Sequence, residues 1–136
     1  MGASRSQGGL YGLRVLVVED ETLIAIMLED MLEEFGCVIA GVAGSVSQAM
    51  ERVETDGSID AAILDVNLGG EKIYPVADAL VKRDVPFVFS TAFGPADLAE
   101  RYPQSQTLAK PYEAEALAGV LEKCCLRGPH HHQRPW

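Results

Sequence analysis

Short runs of apolar residues alternate along this chain with longer segments in which an apolar residue recurs every three or four positions. The short runs are typical of strands buried on both faces, and the longer segments are typical of helices with one buried face. Five strands are predicted, over residues 14–18, 38–43, 60–64, 86–90 and 106–109. Five helices are predicted, over residues 21–35, from residue 45, and over residues 74–83, 96–101 and 113–126. This alternation predicts an α/β domain, in which a doubly wound parallel sheet has helices on both faces.

Local signals indicate where some helices begin, where they end and which faces they bury. Gly36 follows the first helical segment and is expected to end it. Ser45 and Gln48 form a capping box at the start of the second helix. The apolar residues expected on the buried faces of the first and last helices are Ile24, Met27, Leu28, Met31, Phe35, Leu117, Val120, Leu121 and Cys124.

Composition restricts the class of protein. The 136 residues fit one domain, with a flexible leader over residues 1–13, a folded domain over residues 14–126 and an unstructured tail over residues 127–136. The formal net charge of −9 argues against nucleic-acid binding, which needs a basic face. No apolar stretch approaches the roughly 20 residues of a membrane span, and no secretory signal is present. With only three cysteines, a disulfide framework is not expected. The sequence therefore predicts a cytoplasmic protein that binds neither nucleic acid nor membrane.

Residues able to do chemistry fall directly after the predicted strands. They are Glu19 and Asp20 after the first strand, Asp65 after the third, Thr91 after the fourth and Lys110 after the fifth. In an open parallel sheet these positions meet at one edge. Two carboxylates about 4 Å apart repel each other by roughly 4 kcal/mol at an effective dielectric constant near 20. A proton or a cation is therefore expected among them, and hard oxygen ligands favour Mg²⁺, with Lys110 then suited to a phosphoryl oxygen.

These residues resemble the motifs of the receiver domain of two-component response regulators. The matching stretches are VVEDE with Glu19 and Asp20, ILDVN with Asp65 and Asn67, ST with Thr91, and KP with Lys110. Each stands at the end of its own predicted strand, and the resemblance covers about residues 14–126. It implies a flavodoxin-like sheet of strand order 2-1-3-4-5, flanked by five helices.

The resemblance also implies a role for each of these residues. Asp65 would accept a phosphoryl group from a sensor histidine kinase, Thr91 would hydrogen-bond to that group, and Lys110 would pair with its oxygens. The magnesium ligands would be the side chains of Asp20 and Asp65, the backbone carbonyl of Asn67 and, through water, Glu19. This chemistry is coherent on physical grounds, because a carboxylate is a nucleophile and phosphoryl transfer depends mostly on positioning and charge neutralisation.

The chain departs from the common receiver pattern in the stretch from Thr91 to Lys110, which is short and predicts an abbreviated fourth helix, and in two further places. Thr107 stands where many receivers have an aromatic switch residue, and NLGGE follows Asp65 and Val66 where Met-Pro is usual. The stretch PFVFSTAFG resembles the PFxFATGY signature of a stand-alone receiver subgroup that lacks the aromatic on strand five. By that resemblance Phe93, just past the fourth strand, is expected to act in the switch with Thr91.

Other interpretations of the same residues remain open. Asp65 by itself would fit a turn cap, and Phe93 would fit simple packing. A phosphohydrolase of the haloacid-dehalogenase type would need a second acid two residues past its nucleophile, where this chain has Asn67. A receiver-fold interaction module that is never phosphorylated would not need the complete set of acids, threonine and lysine.

The function expected from the sequence is that of a single-domain response regulator. No output domain follows Leu126, so the signal is expected to reach an unknown downstream protein by phosphorylation-dependent contact or by phosphorelay. Such a protein is a signalling switch with its own autophosphorylation and autodephosphorylation chemistry, not a metabolic enzyme.

Overall fold

The computed structural model describes residues 9–91, 101–102, 105–110 and 112–125. Its main sheet has five parallel strands: β1 (Arg14–Val18), β2 (Val38–Ala43), β3 (Ala61–Asp65), β6 (Phe87–Thr91) and β7 (Gln106–Ala109). Two short strands, β4 (Asn67–Leu68) and β5 (Glu71–Lys72), form a separate antiparallel hairpin. The main sheet has the order β2-β1-β3-β6-β7. Because the hairpin lies outside it, this is the expected order 2-1-3-4-5.

Four long helices pack on this sheet within the described residues. They are α1 (Thr22–Glu34), α2 (Val46–Thr55), α3 (Tyr74–Lys82) and α4 (Ala114–Cys125). Each begins within one residue of its predicted start, and α1, α3 and α4 also end within one residue of their predicted ends. The remaining predicted helix falls almost entirely on residues 92–100, outside the described residues. Among the described helices, none is long and apolar enough to cross a membrane.

Strand residues alternate between two hydrophobic layers, one on each face of the sheet. Along β1, Leu16 and Val18 belong to the layer that α2 and α3 cover. Val15 and Val17 belong to the layer that α1 and α4 cover. Because both faces are buried, the strand is a continuous apolar run in the sequence, as predicted.

The buried face of α1 differs from the predicted one. Met27, expected in the core, is 43% exposed, whereas Ala25, Leu28 and Leu32 are buried. Six consecutive residues, 23–28, are apolar and together surround the whole helix. The spacing of apolar residues therefore did not identify the stripe that faces the sheet, and packing against β1 selected it.

The packed part of the chain begins before residue 14. Leu10 is buried in the layer covered by α1 and α4. The N–H of Gly12 donates to the carbonyl of Gly36 over 2.7 Å. Both glycines have positive φ, +80° and +88°, and Gly36 ends the first helix as predicted. The prediction of a flexible leader is therefore wrong for residues 10–13, while residues 1–8 and 126–136 lie outside the described part of the chain.

The predicted cap at the start of α2 is confirmed in part. Ser45 Oγ accepts a hydrogen bond from the N–H of Gln48 over 3.2 Å. Gln48 Oε1 accepts from the N–H of Gly44 over 2.8 Å, instead of from that of Ser45. The carbonyl of the preceding residue, Ala43, accepts from the N–H of Glu19. The N-terminus of α2 is thus tied to the carboxyl end of β1.

The β4–β5 hairpin is absent from the predicted elements. Its turn residues Gly69 and Gly70 both have positive φ, +59° and +87°, which suits a two-residue turn that follows the twist of its strands. Leu68 is buried in the layer covered by α2 and α3, so the hairpin packs on the domain. Strands of two residues are too short to show alternation, which is why the sequence pattern missed them.

Candidate functional site

The predicted site residues come together at the carboxyl edge of the sheet. A cleft of about 360 Å³ lies there, and its lining includes Asp20, Asp65, Asn67, Thr91, Lys110 and the turn of the β4–β5 hairpin. These side chains converge because neighbouring strands end at the same level. Val18, the last residue of β1, pairs with Leu64 near the end of β3. Lys110, which follows β7, donates its N–H to the carbonyl of Thr91, the last residue of β6. The structure therefore brings together every described residue that the sequence placed in the site.

Lys110 bridges two buried carboxylates. Its Nζ lies 3.3 Å from Oδ2 of Asp65 and 3.3 Å from Oε1 of Glu19. Asp65 is 4% exposed and Glu19 is 3% exposed, so the ammonium group supplies the compensation that water gives at a surface. Burial alone would lower the pKa of Lys110, but the carboxylates of Asp65 and Glu19 outweigh it and raise that pKa. Lys110 is therefore positively charged at neutral pH.

The end of β3 fixes the orientation of the Asp65 carboxylate. Its Oδ1 accepts a hydrogen bond from the N–H of Asn67 over 3.2 Å, and its Oδ2 faces Lys110. Val66, which lies between Asp65 and Asn67 in the sequence, donates its N–H to the carbonyl of Ser90 on the neighbouring strand. One oxygen is thus held by the backbone and the other by the cation, so the group has a defined position at the cleft wall.

The surroundings of Glu19 disfavour its ionised form. Burial raises its pKa to about 7; the hydrogen bond from Glu21 opposes this shift and Asp65 reinforces it. Oε2 accepts from the N–H of Glu21 over 3.2 Å, whereas the buried Oε1 makes no hydrogen bond and has the ammonium group of Lys110 3.3 Å away. A buried oxygen without a hydrogen bond is unusual in proteins and is a common sign of a missing water or ion.

Three carboxylates lie close enough to share one cation. Ligand oxygens of Glu19, Asp20 and Asp65 are all within 4.8 Å of one another. Asp20 is exposed, while the other two are buried. Carboxylate oxygens are hard ligands, and Oε1 of Glu19 makes no hydrogen bond besides its ion pair with Lys110. The donor set therefore fits a hard divalent cation.

Ser90 and Tyr112 form a buried pair beside the site that sequence reasoning missed. Their hydroxyl groups hydrogen-bond to each other. Ser90 precedes Thr91 and Tyr112 follows Lys110 by two residues, so this bond joins the segments that carry both site residues. Burial raises the pKa of the Tyr112 phenol, against the opposing effects of Ser90 and Lys110. A serine that directly follows the apolar residues Phe87, Val88 and Phe89 was the available signal.

The region of the expected switch is described only in part. Phe93 lies outside the described residues, so its role stays a prediction. Thr107 pairs with Phe89 across β6 and β7. The ring of Tyr102 packs on that of Phe89, with centroids 5.4 Å apart. The Tyr102 hydroxyl donates to Oδ1 of Asp78 on α3 over 2.6 Å. An aromatic side chain thus packs on β6 although Thr107 occupies the usual aromatic position on β7.

Known proteins resemble this chain in sequence and in structure. The family described as response regulator receiver domain matches residues 15–122. The transcriptional regulatory protein PdtaR of Mycobacterium tuberculosis is 36% identical over 118 residues, which cover 84% of this chain and 57% of PdtaR. The solution structure of SdrG from Sphingomonas melonis Fr1 is 48% identical, with a TM-score of 0.72 and coverage of 82% of this chain and 94% of that one. The BeF3-activated conformation of SdrG matches with a TM-score of 0.69 at the same identity and coverage. The chain spans about half the length of the curated relatives that it matches.

Proposed function

Because this chain belongs to the response regulator receiver domain family, we propose that it accepts a phosphoryl group on Asp65 from a sensor histidine kinase, in a reaction that depends on Mg²⁺. One observation carries the proposal. The buried carboxylate of Asp65 lies 3.3 Å from Lys110 Nζ, in a cluster where oxygens of Glu19 and Asp20 are within 4.8 Å. Phosphoryl transfer uses a nucleophile, fixed positive charge and hard metal ligands, and this cluster supplies all three.

Asp65 is the nucleophile in the proposed reaction. One of its oxygens attacks the phosphorus of the phosphohistidine, so an O–P bond forms while the N–P bond breaks and its electron pair stays on the histidine nitrogen. Lys110 pairs with the negatively charged phosphoryl oxygens. Thr91, which lines the cleft, hydrogen-bonds to the transferred group.

Magnesium would be held by the carboxylates of Asp20 and Asp65 and the backbone carbonyl of Asn67, with Glu19 acting through water. When bound, the ion supplies neutralisation of the charge on the carboxylates and the phosphoryl oxygens. The buried Oε1 of Glu19, which makes no hydrogen bond besides its ion pair with Lys110, supports this assignment. The N–H of Asn67 donates to Asp65, which keeps this residue at the cleft.

The exposed surface next to the cleft suits a protein partner. α1 begins two residues after Asp20 and leaves Leu23, Ile26 and Met27 substantially exposed. Neighbouring apolar side chains on a surface favour contact with another protein. We therefore place the kinase contact here. The protein would act in the cytoplasm as a signalling switch, not as a metabolic enzyme, and pass its signal by phosphorylation-dependent contact or by phosphorelay.

Acetyl phosphate, a small phosphoryl donor, tests the proposal by intact mass. The wild-type protein should gain one phosphoryl group when Mg²⁺ is present and none when Mg²⁺ is chelated. Asp65→Asn has nearly the same shape but lacks the nucleophile, so it should gain none. Asp60→Asn is the matched control, because it changes an aspartate just before the same strand, and it should be phosphorylated like the wild type.

Beryllofluoride, a mimic of the phosphoryl group, gives a second measurement. The 48% identical relative SdrG has a BeF3-activated conformation. We therefore expect beryllofluoride with Mg²⁺ to shift the amide resonances of residues around Asp65 in NMR spectra. A wild-type protein that neither gains a phosphoryl group nor responds to beryllofluoride would contradict the proposal and favour an interaction module that is never phosphorylated.

A further inference from the structure

The β4–β5 hairpin lies next to two of the acidic residues of the cleft, Asp65 and Asp20. Asn67, at its start, donates its N–H to Oδ1 of Asp65 over 3.2 Å. At its turn, a Cβ atom on Gly69 would lie 3.5 Å from Oδ2 of Asp20. The hairpin is therefore a wall of the cleft, and the position of that wall affects two of the three clustered carboxylates.

Both apolar and polar contacts hold the hairpin to the rest of the domain. Leu68 and the following Ile73 are buried in the layer covered by α2 and α3. The polar contact comes from Glu71, whose Oε1 accepts a hydrogen bond from the N–H of Val46 over 3.3 Å. Val46 is the first residue of α2, where backbone N–H groups have no partner within the helix and the positive end of the helix favours a carboxylate.

The hydrogen bond of Glu71 completes a series of contacts that links the hairpin, α2 and β1 around the cleft. The N-terminus of α2 is capped by Ser45 and follows Ala43, whose carbonyl accepts from the N–H of Glu19. Glu71 joins this N-terminus to β5, and Glu71 is paired with Leu68 on β4. The strand that carries Asn67 is thereby connected to both β1 and β3.

We propose that Glu71 is a positioning residue for the phosphoacceptor cleft, because it fastens the β4–β5 hairpin to α2 and so holds Asn67 where it meets Asp65. The inference rests on the proposed function, in which Asn67 also contributes a magnesium ligand. Glu71 touches neither the phosphoryl group nor the ion. Its removal loosens the hairpin and weakens Mg²⁺ binding while every ligand stays in the chain.

Two measurements on Glu71→Ala test this role. Hydrogen exchange should become faster at the backbone N–H groups of residues 67–72 and of Val46. Calorimetry should show an Mg²⁺ dissociation constant raised about two- to fivefold, because the free energy of one lost hydrogen bond is partly lost from Mg²⁺ binding. Glu71→Gln keeps an oxygen acceptor without the charge, so both of its values should lie closer to the wild type than to Glu71→Ala. Glu54→Ala removes an exposed acid from α2 and should change neither value.

The possible outcomes separate this inference from the proposed function. Unchanged exchange in Glu71→Ala, or faster exchange without weaker Mg²⁺ binding, would overturn the role of Glu71 and leave the proposed function intact. Mg²⁺ binding as weak in Glu71→Gln as in Glu71→Ala, with slow exchange in both, would identify a long-range charge effect and also overturn it. A wild-type protein that binds no Mg²⁺ would defeat both, and exchange would still report whether Glu71 holds the hairpin.

Discussion

At the scale of single residues, the site depends on an unequal pairing of charges. Lys110 is one cation facing two buried carboxylates, those of Asp65 and Glu19. Asp20 adds a third carboxylate to the same cluster. Buried charges are tolerated only when they are compensated, and here the lysine compensates part of the negative charge. A hard divalent cation suits this cluster because it would compensate the negative charge that Lys110 leaves uncompensated.

Replacement of Lys110 by alanine should slow phosphorylation by acetyl phosphate about 100-fold, the usual cost of losing one group that stabilises developing negative charge. The variant keeps Asp65 and the other two carboxylates, and saturating Mg²⁺ compensates their charge in the absence of the lysine. The measurement is the initial rate of mass gain at saturating Mg²⁺.

Lys123→Ala provides the control for the Lys110 variant. Lys123 lies on the exposed side of α4, and its removal changes the net charge by the same amount. This control should react at the wild-type rate, and circular dichroism should show both variants folded. A wild-type rate in Lys110→Ala would rule out the charge-pairing role that the 3.3 Å contact indicates.

At the scale of elements, strands were easier to predict than helix faces and loops. The strands of the main sheet are buried on both faces, so their sequences are unbroken apolar runs. The stripe of Ala25, Leu28 and Leu32 on α1 was hidden among six consecutive apolar residues, 23–28. The role of Glu71 was hidden for another reason. It depends on a contact with Val46, and no local pattern records which helix N-terminus a distant side chain meets.

The loop between α2 and β3 is fastened to the start of β1 through Asp56. Its Oδ1 accepts from the N–H and the hydroxyl of Ser58, and its Oδ2 accepts from the Arg14 guanidinium over 2.7 Å. The hydrogen bonds from Ser58, with a further effect of Arg14, hold the pKa of Asp56 below its usual value of 3.8. The ionised form is therefore favoured by folding.

Asp56→Asn should lower the free energy of unfolding at neutral pH by about 1 kcal/mol or less, as expected for a partly exposed pair. Because the folded-state pKa is depressed, the stabilisation is present above the unfolded pKa and is lost as pH falls through the folded value. The difference in Tm between the two proteins should be full at pH 7 and shrink below a pH of about 4. Thermal unfolding followed by circular dichroism measures it, and a difference that grows in acid would contradict the assignment.

At the scale of the whole molecule, a parallel sheet gathers residues that are far apart in the sequence. Asp20, Asp65 and Lys110 were predictable as one site because each follows a recognisable strand, and the strand ends meet at one edge. The ion pair of Glu19 Oε1 with Lys110 and the Ser90–Tyr112 hydrogen bond were not predictable, since they arise only when side chains from different elements pack together. Topology thus fixed the membership of the site, and packing fixed its electrostatics.

Magnesium should stabilise the entire fold if it binds at this edge. A ligand that binds only the folded state adds about 2.7 kcal/mol to the free energy of unfolding at 100 times its dissociation constant. In a domain of this size that gain corresponds to a rise of several degrees in Tm. Because the net charge is −9, any salt also screens repulsion across the molecule, so the comparison needs NaCl at equal ionic strength.

The wild-type protein should therefore unfold several degrees higher in MgCl₂ than in NaCl of equal ionic strength. Asp20→Ala should show almost none of this difference, because it removes one of the three clustered carboxylates. Asp30→Ala, which removes an exposed acid from α1, should respond like the wild type. If Asp20→Ala gained as much from Mg²⁺ as Asp30→Ala does, the ion would be acting on the net charge of the molecule and not at the cluster of Glu19, Asp20 and Asp65.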